Sequence, residues 1–353
     1  MQRRFWMLLI VLVGTLGLVS ACGGDDEATT PTSTAAITAA GSATPVTTAA
    51  VYPVTVTDML GKQVTITKEP QRIVAASPSA IELLYAAGGK AVARTTTSQI
   101  PAEVATLPDI GTSERPAYER IVAQNPDLVL ADASLQAQFA GNFASSLGNV
   151  PVVFVGAAKY DDVAKSLGII GQVINQPTKA AAAAKTLTDT KAQVAAQVAG
   201  KTATKVLILI GAPNDPFVAL PDSFVGDLAG LAGAKNIAAG QTQCGPLPGY
   251  TKLSLETIVA ANPDVILTIT AGPPGGPSLA DGIKNNPAYA SIAAIKNGRV
   301  HDLNVDIYLQ SPSPREAKGL TDLVALFFPG TTSAAMGTPA AAVTKTATSS
   351  TGY

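Results

Sequence analysis

A fourteen-residue block constrains this chain more than any other feature. Glu-Arg-Ile-Val-Ala-Gln-Asn-Pro-Asp-Leu-Val-Leu-Ala-Asp, beginning at Glu119, returns 137 residues later from Glu256 as Glu-Thr-Ile-Val-Ala-Ala-Asn-Pro-Asp-Val-Ile-Leu-Thr-Ile, with eight of fourteen positions identical. One copy reads as a short helix, a turn and a buried strand. Two copies so far apart predict two α/β lobes of similar build, and paired lobes enclose a cleft.

The first residues have the form of an export signal. Arg3 and Arg4 precede a largely apolar run, residues 5–18, shorter than the ~20 residues a membrane-spanning helix needs. Val19, Ser20 and Ala21 then place small residues directly before Cys22. This is the pattern of a lipoprotein signal, in which cleavage leaves Cys22 as a lipid-modified N-terminus. The alternative is an ordinary secretory signal with a coincidental cysteine. Residues 23–50 are rich in Gly, Thr, Ala and Pro, a composition that cannot bury a core and predicts a flexible tether. The expected division is therefore a signal over 1–21, a tether over 22–51, an N-terminal lobe over 52–158, a helical connecting segment over 159–200, a C-terminal lobe over 201–330 and a disordered tail over 331–353.

A formal net charge of −1 supplies no basic face for nucleic acid. Cys22 and Cys244 are the two cysteines; with Cys22 acylated, no intrachain disulfide remains. Cys244 itself is expected as a half-buried small hydrophobe or a cleft contact. His301 is the single histidine, too few for a His-rich zinc site, so no metal or cofactor is expected to reside in the protein.

Alternation in 54–57 and 64–67 around Gly61 predicts a β-hairpin. Residues 72–76 read as a buried strand leading into a helix over 80–87, with Ser79 and Glu82 as its capping box and Gly88-Gly89 as its stop. After the first repeat copy come a helix over 136–147 and a strand over 152–155. The helical segment that follows is broken at Gln176-Pro177, with Asp161 expected to cap its first helix. From Thr178 to Ala199 strong helix formers run unbroken to Gly200. The second lobe opens with the apolar run 205–210, suited to a strand covered on both faces. It continues through a helix over 222–232, the second repeat copy, a Gly/Pro loop over 272–277, a strand over 300–303 and a helix over 314–328. Strands alternating with helices imply mostly parallel sheets.

Arg-Ile-Val-Ala-Ala-Ser-Pro-Ser-Ala-Ile-Glu-Leu-Leu-Tyr-Ala-Ala-Gly from Arg72, the block from Glu119, Asn236-Ile237, Leu255-Glu256 and Ser313-Pro314-Arg315 together resemble the substrate-binding proteins of ABC importers for vitamin B12, iron-siderophores and haem. The likeness runs from about residue 52 to 329; it rests on the order and spacing of the segments rather than on any one of them. It implies an α/β fold of two Rossmann-like lobes joined by one long helix, here 178–199, with little hinge motion. It also implies a monomer, lipid-anchored outside the cell membrane, that captures a small-molecule metal chelate and hands it to a permease dimer with ATPase subunits. In the B12 member one surface glutamate per lobe meets arginines of the permease; by motif position these are Glu119 and Glu256. First-turn glutamates also favour a helix dipole, and both roles can coexist.

Ligands of α/β sheets sit at the carboxyl ends of strands. Among the loops placed there, Arg115, Phe217, Tyr250, Asp306 and Tyr308 have side chains able to grip a ligand. Each also has a plainer reading: the aromatics as core or rim, Arg115 paired with Glu114 or Glu119, Asp306 as a turn residue. Where B12 members carry aromatics this chain has Ile100 and Ser113, and Arg115 lies near, but not at, the arginine position of hydroxamate-siderophore members. Tyr118 and His301 are poorly placed to be haem ligands. A ferric siderophore is thus the first expectation and a corrinoid or haem the alternative; a lipid-anchored receptor for signalling would use the same cleft. Enzyme readings lack a Gly-x-Ser-x-Gly elbow, a P-loop and a second candidate base.

Overall fold

The hairpin comes first. Strands β1 (Val54–Thr57) and β2 (Gln63–Ile66) pair antiparallel, and Gly61 takes the positive φ that the turn requires. A computed structural model of the protein describes residues 52–330 apart from 214, 245–247 and 272–275. The expected signal, Cys22, the tether, the tail and most of the Gly/Pro loop lie outside the described residues. Among the described residues, no helix is long and apolar enough to cross a membrane.

The N-terminal sheet follows: β3 (Ile73–Ala75), α1 (Pro78–Ala86), β4 (Ala91–Ala93), α2 (Tyr118–Val122), β5 (Leu128–Asp132), α3 (Ala133–Gln136), α4 (Ala140–Leu147) and β6 (Val152–Val155). Its four strands are parallel in the order β4-β3-β5-β6. The connection is α5 (Tyr160–Val173) and the 22-residue α6 (Pro177–Val198), about 33 Å long at ~1.5 Å per residue. The C-terminal sheet contains β7 (Thr204–Gly211), β8 (Phe217–Ala219), β9 (Ala234–Asn236), β10 (Tyr250–Thr251), β11 (Val265–Thr270) and β12 (Val300–Asp302). Helix α7 (Phe224–Leu231) lies between β8 and β9, and α8 (Leu255–Ala261) precedes β11. After β11 come α9 (Leu279–Lys284) and α10 (Ala293–Lys296), and α11 (Glu316–Phe327) closes the chain. Here β9, β7, β11 and β12 run parallel, while β8 and β10 add antiparallel pairing at one edge. The parallel cores match: β3, β5, β6 and β4 of one lobe correspond to β7, β11, β12 and β9 of the other.

The apolar runs without alternation fill both faces of each sheet. Leu128, Leu130, Val153 and Val155 point into the same large core as Val206, Ile208, Ile210, Leu267 and Ile269. Their neighbours Val129, Ala131 and Phe154, and Leu207, Leu209 and Ile266, face away into a separate cluster of each lobe. One core therefore runs through both lobes and the helices joining them, taking in Tyr160 and Leu167 of α5 and Ala180, Leu187 and Val194 of α6. Each large aliphatic side chain buried there contributes about 1.5–3 kcal/mol.

Several local expectations are corrected. Ser77, not Ser79, caps α1, its hydroxyl accepting from the Ala80 amide at 2.9 Å. The Gly88-Gly89 stop holds: the Gly89 amide donates to Leu84 O and the Gly88 amide to Tyr85 O, closing the helix with Gly88 at φ +89°. Asp162 rather than Asp161 caps α5, accepting from the Lys159 amide, and Asp161 instead pairs with Lys191 of α6 at 2.6 Å. The helix expected over 136–147 is split, because Gln136 is drawn into the core. The last helix starts two residues late, since Ser313 to Arg315 form a turn against the other lobe.

Candidate functional site

The repeated blocks build equivalent feet for the two lobes. Asn125 and Asn262 end α2 and α8 in the left-handed conformation, at φ 48° and 46°, a geometry asparagine tolerates. Asp127 then accepts from the amides of Gln71 and Arg72, and Asp264 from that of Lys205. Arg72 Nε donates to Gln124 O and Asn125 O, and Lys205 Nζ to Ala261 O, so a cation closes each helix end. Because each helix runs down to the foot of its strand, the first turns carrying Glu119 and Glu256 lie away from it. Both glutamates are exposed. The Glu256 carboxyl is held below the usual range by its own amide and the Ser254 hydroxyl.

At the carboxyl ends the lobes face one another across a seam. The N-terminal side is organised by Gln136, fully buried, whose amide donates to Ala76 O and Ser113 O while its oxygen accepts from the Asp132 amide. One side chain thus ties the loops after β3, β4 and β5 together. Asp132, also buried, accepts from the hydroxyls of Ser77 and Ser134 and the amides of Ser134 and Leu135. Arg94 staples the next loop through Thr95 O, Thr96 O and Ala105 O.

The C-terminal side is held differently. Asp302 accepts from Thr268 Oγ1 at 2.6 Å and Thr270 Oγ1 at 3.1 Å, and Thr270 Oγ1 in turn accepts from the Leu279 amide. Lys252 Nζ sits 3.8 Å from the centre of the Phe217 ring and donates to Asp215 Oδ1, Asp215 O and Pro216 O. This fixes the loop that presents Phe217.

Across the seam the lobes touch through polar groups that sequence reasoning assigned elsewhere. Ser79 Oγ donates to Pro312 O at 2.7 Å. Glu82 accepts a two-armed bond from Arg315, Nε to Oε2 and Nη2 to Oε1, both 2.7 Å, and a third from Ser311 Oγ. Beside them Glu316 is fully buried with neither carboxyl oxygen partnered. Burial pushes its pKa well above the ordinary range, which favours the neutral form and leaves Arg315 to Glu82.

Of the five predicted contacts, Asp306 lines a narrow recess in this seam together with Pro78, Thr97, Gln99, Ile100 and Arg315. At about 20 Å³ it holds a water rather than a chelate. Arg115 is exposed on the N-terminal rim and Phe217 is half-buried on the C-terminal rim. Tyr250 and Tyr308 occupy core positions, the plainer of the two readings the sequence offered for them. Tyr250 is buried in β10, its phenol pushed up to about 12 by that burial. Tyr308 is buried with its hydroxyl donating to Gly319 O, spent within its own lobe. Cys244 is exposed rather than half-buried. Tyr118 packs edge-on to Phe143 at 5.3 Å, and His301 is half-buried in β12, its pKa lowered by burial and by Arg299 and Lys284. A larger recess of about 360 Å³, lined by Thr65, Lys68, Asp127 and Asn149, lies at the foot of the N-terminal lobe. The carboxyl-end rule for α/β sheets favours the seam over it.

Residues 73–306 match the family described as periplasmic binding protein. The chain is 31% identical over 290 residues to an uncharacterized ABC transporter substrate-binding lipoprotein, YvrC, of Bacillus subtilis, covering 80% of this chain and 87% of that protein. It is 32% identical over 204 residues to the vitamin B12-binding protein of Salmonella choleraesuis, covering 58% of this chain and 73% of that one. Among solved structures, an ABC transporter substrate-binding protein from Listeria monocytogenes superposes with a TM-score of 0.64 at 26% identity, over 74% of this chain and 99% of that one. Staphylococcus aureus IsdE complexed with heme superposes with a TM-score of 0.62 at 25% identity, over 73% and 98%. On this family match and these likenesses, the chain belongs to the periplasmic binding protein family, as a substrate-binding component of an ABC importer.

Proposed function

We propose that the seam captures a ferric siderophore or related metal chelate and that the protein delivers it to a permease dimer driven by ATPase subunits. The observation that carries this reading is the make-up of the rims. A carboxylate (Asp306) and amide and hydroxyl groups (Gln99, Thr97) line one recess from both lobes, and an exposed arginine (Arg115) and a half-buried aromatic (Phe217) stand at strand ends of the two lobes. Such a set grips a ligand that already carries its metal enclosed. In this reading the permease docks on Glu119 and Glu256, and the lipid on Cys22 keeps the protein, a monomer, on the outer side of the cell membrane.

A corrinoid is the second reading, and the specific likeness to the B12-binding protein of Salmonella choleraesuis favours it. Thermal melts of the full chain with ferrichrome, ferric enterobactin, cyanocobalamin and haemin separate the two. Occupancy at a hundredfold excess over Kd adds about 2.7 kcal/mol of stability, a clear rise in Tm. A rise with a ferric siderophore alone supports the first reading; a rise with cyanocobalamin alone replaces it by the second. Intrinsic tryptophan fluorescence is no substitute, because the one tryptophan is Trp6, inside the expected signal.

A further inference from the structure

We propose that the Glu82–Arg315 fork is a pin that sets the angle between the lobes, making these two residues positioning residues for the cleft. The fork spans 233 residues of sequence and joins α1 of the N-terminal lobe to the turn before α11 of the C-terminal lobe. Its two arms are both 2.7 Å long. A planar guanidinium bonded twice to one carboxylate constrains direction as well as distance, which a lysine or a single hydrogen bond does not. Ser311 donates to the same carboxylate, and Ser79 adds a parallel bond to Pro312 O.

The site is nearly dry on one side and open on the other. The Glu82 side chain is 7% exposed and that of Arg315 28%, while Ser79, Ser311 and Ser313 are buried. Parting the lobes here would strand a desolvated carboxylate, so the join resists opening. Local duties do not explain it. Ser77 already caps α1, leaving Glu82 unneeded for the helix, and Arg315 stands before α11 with its charge directed to the other lobe. Helix α6 and the shared apolar core hold the lobes together, but apolar packing is non-directional; the planar, two-armed bond adds a constraint on direction. Arg315 and Glu82 also line the recess containing Asp306, so a ligand seated against that floor meets the pin itself.

The pin is independent of which ligand the cleft holds, and it is tested without one. Spin labels are attached to keto side chains encoded at Thr106 and Lys235, both exposed and one in each lobe, leaving the cysteines untouched in the full chain. Inter-label distances are then measured for the parent, Arg315→Lys, Glu82→Gln and the double variant Glu82→Leu/Arg315→Met. The expected result is a distance distribution at least twice as broad in Arg315→Lys, which keeps the charge but loses the fork, and broader again in the double variant. Glu82→Gln should fall between parent and Arg315→Lys. Distributions that superimpose on the parent while Tm falls would show a merely structural contact and overturn the proposal. Should the double variant fail to fold, Arg315→Lys decides alone.

Discussion

The two lobes agree at their feet and differ at their rims. At the foot, Asp127 and Asp264 make the same bond to the first residues of the neighbouring strand, and Arg72 and Lys205 close the same helix end. At the rim the block diverges: Asp132 caps α3 and meets Gln136, where the second copy has Ile269 in the core. The second lobe holds its rim instead with Asp302, two threonines and the Lys252–Phe217 stack. The shared half of the repeat thus maintains the fold, and the divergent half shapes the rim proposed to meet a ligand.

That contrast can be broken at several points. The largest effect is expected from Gln136→Ala, which leaves Ala76 O, Ser113 O and the Asp132 amide without their buried partner and should cost about 3 kcal/mol in urea unfolding. A cost below about 1 kcal/mol would mean the N-terminal rim is not organised through this side chain. Next come Asp127→Ala and Asp264→Ala, each expected to cost about 1–2 kcal/mol. Asp127 serves two amides and Asp264 one, so the first should cost more; the reverse order would deny that the feet are equivalent.

Glu316→Gln tests the seam. The buried Glu316 carboxyl has a folded pKa raised above its ordinary value of 4.5, so between those two values the native state holds a proton that the unfolded chain releases. Its contribution to stability is complete below the ordinary value and is lost as pH rises through the folded one. Glutamine stays neutral, so the variant should gain on the parent with rising pH, by about 1.4 kcal/mol per unit of raised pKa. Parallel melting curves from pH 4 to 8 would contradict this. The smallest effects on stability belong to Glu119→Arg and Glu256→Arg, since both side chains are exposed and lose only a favourable place at a helix start and, for Glu256, local bonds to its own amide and Ser254. Uptake by cells carrying either variant should fall sharply with ligand affinity unchanged, and full uptake by the double reversal would remove the docking role.

The fold was legible because its signals are local. The apolar runs, Gly88-Gly89, Asn-Pro in each repeat and the break at Gln176-Pro177 each state their conformation within a few residues. The rim was less legible. Ser79-x-x-Glu82 has the form of a capping box, and nothing in the sequence says that Ser77 takes the cap while Glu82 reaches a partner 233 residues away. Tyr308 resembled a loop aromatic because its π-helical turn, Asp306–Gln310, is set by packing against α11 rather than by any motif. Gln136 gave no signal at all, since a glutamine on a helical stretch is ordinarily solvated.

Helix α6 has a mechanical consequence. A helix of 22 residues bends only by stretching its hydrogen bonds, and three of its side chains, Ala180, Leu187 and Val194, are locked into the core that both lobes share. Rocking of one sheet against the other is therefore expected to twist the chain at the two ends of the helix rather than along it. One end is the Gln176–Pro177 junction and the other Ala199–Gly200, where the chain leaves the helix at ψ 130° and then φ +73°. A proline in place of Gly200, whose ring cannot take that φ, would displace the second of these ends.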